Sequence, residues 1–380
     1  MVCVLLLLGI GLTMVYSASS VYALIHEHST AYFFEHQLVA GVIGLLCMAI
    51  IMNIRFQKWS KVARLMLLVN LTTLFLVIIP HIGHSRAGDL TGGRRWLGVG
   101  NFLFQPSEIA VIGMIIYLAY ILAKKTSILE DFKHGVLPVV IVAGIVFGLI
   151  VLEKDFGTAL VVLGTSFCMI FVSGVPIRHI GKTVLLATPV VVLIALFPSY
   201  RRDRLISFFH PHAAASGLGW QLKNSLFAIN SGGWFGRGLG QSIEKFLWLP
   251  DAHTDFIFAI LAEEWGIIGS AIVIGLFAIV IWRGIMIANQ VEDRFGSLLA
   301  VGVTAMIGVG VIINLFAITG LVPVTGIPLP FISYGGTALV FKLAAVGMLL
   351  NVSRYTVQKE TAPRQTTAKR RPLNQVPQTK

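Results

Sequence analysis

The chain has 380 residues and a formal net charge of +12, with 56% of residues hydrophobic and only 12% charged. Water-soluble domains carry roughly 25% charged residues, so a water-soluble protein is excluded and no nucleic-acid partner is expected. A helix needs about 20 apolar residues to cross about 30 Å of hydrocarbon, and without water the backbone must pair internally, in helices or closed barrels. The apolar runs are long and unbroken, which favours helices over the short alternating strands of a barrel.

In chain order the runs predict spans at 2 to 24, 36 to 53, 62 to 80, 106 to 123, 135 to 152, 157 to 174, 181 to 198, 256 to 282, 296 to 319 and 335 to 352. The expected fold is an all-α polytopic membrane protein of about ten transmembrane helices, with a membrane domain over 1–352 and a tail over 353–380. The first run begins at residue 2 with no basic leader, and it reads as a retained helix rather than a signal peptide. Cys3, Cys47 and Cys168 all fall inside spans, where cysteine behaves as a small hydrophobe; no disulfide or metal site is expected.

Lys and Arg favour cytoplasmic connections. With the N-terminus in the cytoplasm, the short inside loops hold Arg55, Lys58, Lys61 and Arg64, then Lys124, Lys125 and Lys133, then Arg178 and Lys182, then Arg283 and Arg294. Both termini then lie inside. The tail, with "RQTTAKRRPLNQVPQTK", is polar and basic, a composition of disordered segments that dock on anionic membrane lipids or bind a partner.

Two outside connections are long, residues 81 to 105 and 199 to 255, and long loops tend to carry function. In the first, Arg94, Arg95 and Trp96 suit either an interfacial anchor or a ligand site. The second, between helices seven and eight, holds Arg201, Arg202, Arg204, Lys223, Arg237 and Lys245, cations that something anionic on that side would explain. Glycines 232, 233, 236, 238 and 240 would let backbone amides approach an anion or a sugar, or serve plain tight turns. Asp255 sits where "LPDAHTD" meets "FIFAILA". A carboxylate at that boundary suits a general base, and equally a helix N-cap. Inside the membrane Glu263, Glu264 and Lys342 are costly, which marks them as functional candidates. Counting along helices eight and ten puts the three at similar depth, so that Lys342 either neutralises Glu263 or Glu264 or reaches a water-filled cavity, with the carboxyls protonated as a further alternative. Ser107 and Glu108 follow Pro106 as ordinary helix-start signals.

Nearly the whole chain resembles the SEDS family (shape, elongation, division, sporulation), which includes FtsW, RodA and SpoVE. The likeness runs through "GLTMVYSAS", "RRWL…QPSE", "KDFGTALV", "SGGWFGRGLGQS", "HTDFIFAILAEEWG" and "TGLVPVTGIPLPFISYGG". The first and last of these look most like the FtsW and SpoVE branch. Departures from the family pattern stand at Glu153 and Lys154, where Gln-Pro is usual, at Glu244 for Gln, and at Asp251 for Glu.

The resemblance implies a peptidoglycan glycosyltransferase of the bacterial cytoplasmic membrane that polymerises lipid II, at the division septum for this branch. Its partners would be lipid II, the lipid-linked glycan strand, a class B penicillin-binding protein and other division proteins. It implies a catalytic role for Asp255 and substrate contacts at Arg95, Trp96, Lys245, His253, Thr254 and Ser333. The chemistry then suits Arg201, Arg202 and Arg204 to diphosphate binding, with Glu108, Glu263, Glu264 and Lys342 supporting the site. No cofactor is required, although a divalent cation could assist. A lipid II flippase and a non-catalytic scaffold for a transpeptidase are the alternatives.

Overall fold

The computed structural model describes residues 1–85, 93–99, 102–196, 208–209 and 218–356. Among them, nine helices are long and apolar enough to cross a membrane, and Phe156–Val172 is a shorter apolar helix in line with them. The helices are α1 (Val2–Glu27), α2 (Tyr32–Met52), α3 (Gln57–Ile78), α4 (Pro106–Lys124), α5 (Leu137–Leu152), α6 (Phe156–Val172) and α7 (Ile177–Leu196), then α8 (Leu218–Ser231), α9 (Ile257–Gln290), α10 (Arg294–Ile318) and α11 (Gly336–Ser353). The protein is therefore a multi-pass membrane protein, and the ten expected spans correspond to every helix but α8.

Two helices that make the centre, α4 and α10, are buried along most of their length and pack on each other and on α6. Around them α11 lies along α2, α3 along α4, and α9 along α10. The outward faces of α2, α3 and α7 expose Val, Leu, Ile and Phe, as a lipid-facing surface must. Polar groups inside this bundle are mostly partnered: Asn351 fixes α11 to the α2–α3 turn, accepting from the Phe56 amide at 2.9 Å and donating to the Met52 carbonyl at 2.7 Å.

Both long connections contain regular structure. In the first, strands β1 (Leu97–Val99) and β2 (Phe102–Phe104) pair antiparallel, with Leu97 opposite Phe104. The second contains α8, which the expected loop over 199–255 did not include. Residues 197–207 and 210–217, with Arg201, Arg202 and Arg204, lie outside the described residues, as does the tail from 357.

Candidate active site

At the end of the bundle assigned to the outside, the start of α9 meets the irregular segment between α10 and α11. The N-cap position of α9 belongs to Phe256, so Asp255 lies one residue before the cap, half-buried. Asn314 of α10 donates to the Asp255 carbonyl at 2.8 Å and to the Ile327 carbonyl at 2.7 Å, one amide fastening both motifs. Further along, the Tyr334 amide donates to the His253 carbonyl at 2.9 Å. His253 itself is buried, its ring 4.6 Å from Phe33 and 5.3 Å from Tyr22. Gln37 of α2 grips the same segment, donating to the Ser333 carbonyl at 3.0 Å and accepting from the Gly335 amide at 3.1 Å. The Ser333 hydroxyl accepts from the Leu329 amide at 2.8 Å, closing the turn, and Thr254 donates to the Asp251 carbonyl at 3.1 Å. Non-helical backbone is tolerated in a bundle only when its polar groups are met in this way. Gly11 of α1 lets the segment lie against the helix: a β-carbon there would sit 2.4 Å from the Phe331 carbonyl oxygen.

A second polar cluster forms where α4 and α6 begin. Asp155 caps α6 by accepting from the Thr158 amide at 3.1 Å, and its other oxygen accepts from Gln105 at 2.7 Å and Ser107 at 3.2 Å. This cluster adjoins the first one, because Gly157 has room only for hydrogen beneath Ile327 and the Thr325 carbonyl. Lys154 turns the chain between α5 and α6 with φ of 65°, and Arg95 reaches that turn, donating to the Lys154 carbonyl at 2.8 Å and the Glu153 carbonyl at 3.4 Å. Trp96 is held beside it by the pairing of its backbone with His84.

Glu153 in the same turn is 1% exposed, and neither of its carboxylate oxygens has a hydrogen-bond partner. Burial raises its carboxyl pKa to about 9, Asp155 adds to the rise, and Arg95 opposes it. Because the folded value lies above the ordinary 4.5, the stabilisation from holding the proton is complete below about 4.5 and is lost as pH rises toward about 9. Glu153→Gln, which cannot ionise, should show a flatter stability profile across that window. The variant should therefore gain on the wild type as pH rises, measured by thermal unfolding; parallel profiles would show that Glu153 ionises normally.

The expected partner of Lys342 is corrected by the structure. Lys342 meets Glu108 of α4 at 3.4 Å, not Glu263 or Glu264. Those two acids are committed elsewhere. Glu263 accepts from the Ser242 hydroxyl at 2.5 Å and the Ile243 amide at 3.0 Å, with Arg237 at 3.6 Å. Glu264 accepts from Ser17 at 2.6 Å and pairs with Lys245 at 3.3 Å. Equal depth on two helices did not make neighbours, since α11 packs chiefly on α2 and also lies against α4.

Lys245, expected at the substrate, has its ammonium buried among the Gly240 carbonyl, Ser17 and Glu264. The glycines do not cradle an anion through every amide, because Gly236 donates to the Gly232 carbonyl and Gly238 to the Glu264 carbonyl. Sequence reasoning missed Asp155, Gln105, Asn314 and Gln37, although Asp155 stands just before "FGTAL" as a helix cap should. Among the described residues no group of three or more His, Cys, Asp and Glu converges as metal ligands would.

Residues 1–358 match the FtsW/RodA/SpoVE cell cycle protein family. The chain is 44% identical to the stage V sporulation protein E of Bacillus subtilis strain 168, over 93% of this chain and 95% of that protein. It is 39% identical to a probable peptidoglycan glycosyltransferase FtsW of Trichlorobacter lovleyi, over 92% of this chain and 91% of that one. Among solved structures, a chain of a peptidoglycan synthase complex that coordinates polymerization and crosslinking matches with a TM-score of 0.74 and 28% identity, covering 92% of this chain and 96% of that chain. The rod shape determining protein RodA of Thermus thermophilus matches with a TM-score of 0.66 and 27% identity, covering 94% and 96%.

Proposed function

Because the chain belongs to the FtsW/RodA/SpoVE family of cell cycle proteins, we propose that it is a peptidoglycan glycosyltransferase with Asp255 as its general base. The observation that carries the site is the double fastening of the Asp255 segment, by Asn314 to Ile327 and through His253 to Tyr334. It holds the backbone that carries the Asp255 carboxylate next to Ile327, which packs on Gly157 just after the cluster of Asp155, Gln105 and Ser107. A lipid-linked substrate brings its diphosphate to that height.

In the reaction, the 4-hydroxyl oxygen of lipid II forms a bond to the anomeric carbon of the lipid-linked strand. The bond from that carbon to undecaprenyl diphosphate breaks, with inversion from α to β. Asp255 takes the hydroxyl proton, a contribution of roughly 10² to 10⁴ in rate. Arg201, Arg202 and Arg204 bind the diphosphates, Arg being suited to bidentate phosphate contact. The substrate contacts expected at Arg95, Trp96, Lys245, His253, Thr254 and Ser333 belong to the same reading, with Arg95 also tying the β1–β2 hairpin to the α5–α6 turn. The partner is a class B penicillin-binding protein acting with other division proteins at the septum, with both termini and the basic tail in the cytoplasm.

Purified protein given lipid II in detergent, with no other polymerase, should produce glycan strands. Lipid movement without polymer in reconstituted vesicles would instead assign a flippase. Single Ala changes at Arg201, Arg202 and Arg204 should raise the KM for lipid II while leaving the melting temperature within the small range expected of surface substitutions. Equal losses of stability and substrate use would give these arginines a structural role.

A further inference from the structure

Helix α9 breaks at Gly266, where φ is 68° and ψ is −166°. A break frees backbone groups, and at membrane height these must be met within the protein. Residues 233–238 meet them. The Arg237 amide donates to the Glu263 carbonyl and the Gly238 amide to the Glu264 carbonyl, both at 3.0 Å. In return, the Ile267 amide donates to the Gly233 carbonyl at 2.9 Å and the Ile268 amide to the Trp234 carbonyl at 3.2 Å. Side chains fasten the same loop again, through Arg237 with Glu263 and Lys245 with Glu264. The loop is thus stitched to α9 at one height.

That height lies within the bilayer. From Arg283, the nearest cation on the cytoplasmic side of α9, to Ile268 is about 22 Å at about 1.5 Å per residue, against about 30 Å of hydrocarbon. At this level the loop presents Trp234, 69% exposed, and Phe235, 83% exposed, beside Ile267 and Ile268 at 52% and 44%. Gly232 to Phe235 carry no charge, and Arg237, which stays partly exposed, is neutralised by Glu263 at 3.6 Å.

We propose that residues 232–238 form a re-entrant tip set into the leaflet opposite Arg283, with Trp234 and Phe235 in contact with lipid acyl chains. The occupant is lipid rather than a protein because the aromatic pair continues the apolar face of α9, where Ile272 is also exposed. Trp is a usual anchor near the membrane–water interface, and the Phe235 ring beside it is wholly apolar, as contact with acyl chains requires. The anchor sets the height of the chain between α8 and α9, and so of the approach to Asp255. The inference rests on backbone geometry and exposure and holds whatever reaction the site performs.

The test places a nitroxide label at Phe235→Cys in full-length protein whose Cys3, Cys47 and Cys168 are replaced by Ala, reconstituted in vesicles of phosphatidylcholine and phosphatidylglycerol. Labels at Ile272→Cys and at Asp251→Cys, in the exposed turn before α9, serve as the lipid and water references. The expected result is an oxygen-to-nickel-chelate accessibility ratio severalfold above that at position 251 and close to that at 272. A ratio matching position 251 would overturn the proposal, and so would exclusion of both reagents, which means a covering protein. If the cysteine-free background does not fold, Trp234→Phe in the unaltered chain replaces it. Brominated acyl chains should then quench less fluorescence in the variant than in the wild type, and equal quenching would overturn the proposal.

Discussion

Asp255→Asn is expected to lower glycan polymerisation at least about a hundredfold while leaving the protein folded. The amide keeps the size of the carboxylate and removes only its basicity. The fold should survive because the backbone that places residue 255 is held independently of the side chain, by Asn314 on the Asp255 carbonyl and by Tyr334 on the His253 carbonyl. A structural cap would behave differently. The α9 cap position is Phe256, so losing the carboxylate should not unravel the helix start. Polymer yield and melting temperature are to be measured on the same preparation. Near-normal polymer from folded Asp255→Asn removes Asp255 from the chemistry, and collapse of the fold would return it to a structural role.

Hydrophobic runs made the spans legible because a membrane helix needs length and apolarity and little else. The short connections and the order of motifs followed from the same reading. Alpha helix α8 was not legible: Gly, Trp, Gln, Lys and Asn interrupt its apolar positions, and it is too short and polar to read as a span. The β1–β2 hairpin was present as an alternation of Gly and apolar residues, which a loop reading absorbed. At the site, Asp255 stood out because it meets a long apolar run. Asn314 and Gln37 did not, since one amide inside an apolar helix says nothing of which distant carbonyl it will meet. The same lack of lateral information explains Lys245, which reads as an outside cation yet packs against Ser17 of α1 and Glu264. A sequence gives depth along each helix; which helices touch is decided by packing.

Breaking the ion pair between Lys342 and Glu108 is expected to cost more than any exposed charge change in the protein. Their side chains are 14% and 11% exposed, and removing one partner of a buried pair costs about 3 to 5 kcal/mol because the other charge is left uncompensated. Lys342→Met strands a carboxylate in the first turn of α4, next to the Ser107 hydroxyl that serves Asp155. Glu108→Gln strands an ammonium among apolar neighbours of α11. Both single variants should therefore lose stability, and with it the arrangement of the Asp155 cluster and polymerising activity. Combining them removes both charges, so the double variant should be more stable than the sum of the single losses by about 1 to 3 kcal/mol. Lys342→Met combined with Glu263→Gln, or with Glu264→Gln, should instead be additive, since those acids are bound by Ser242, Arg237, Ser17 and Lys245. Unfolding of the four single variants, Lys342→Met, Glu108→Gln, Glu263→Gln and Glu264→Gln, and of the three doubles that combine Lys342→Met with each of the others measures each coupling. Additivity with Glu108→Gln together with coupling to either α9 acid would overturn the pairing across α4 and α11 and restore the one that equal depth suggested.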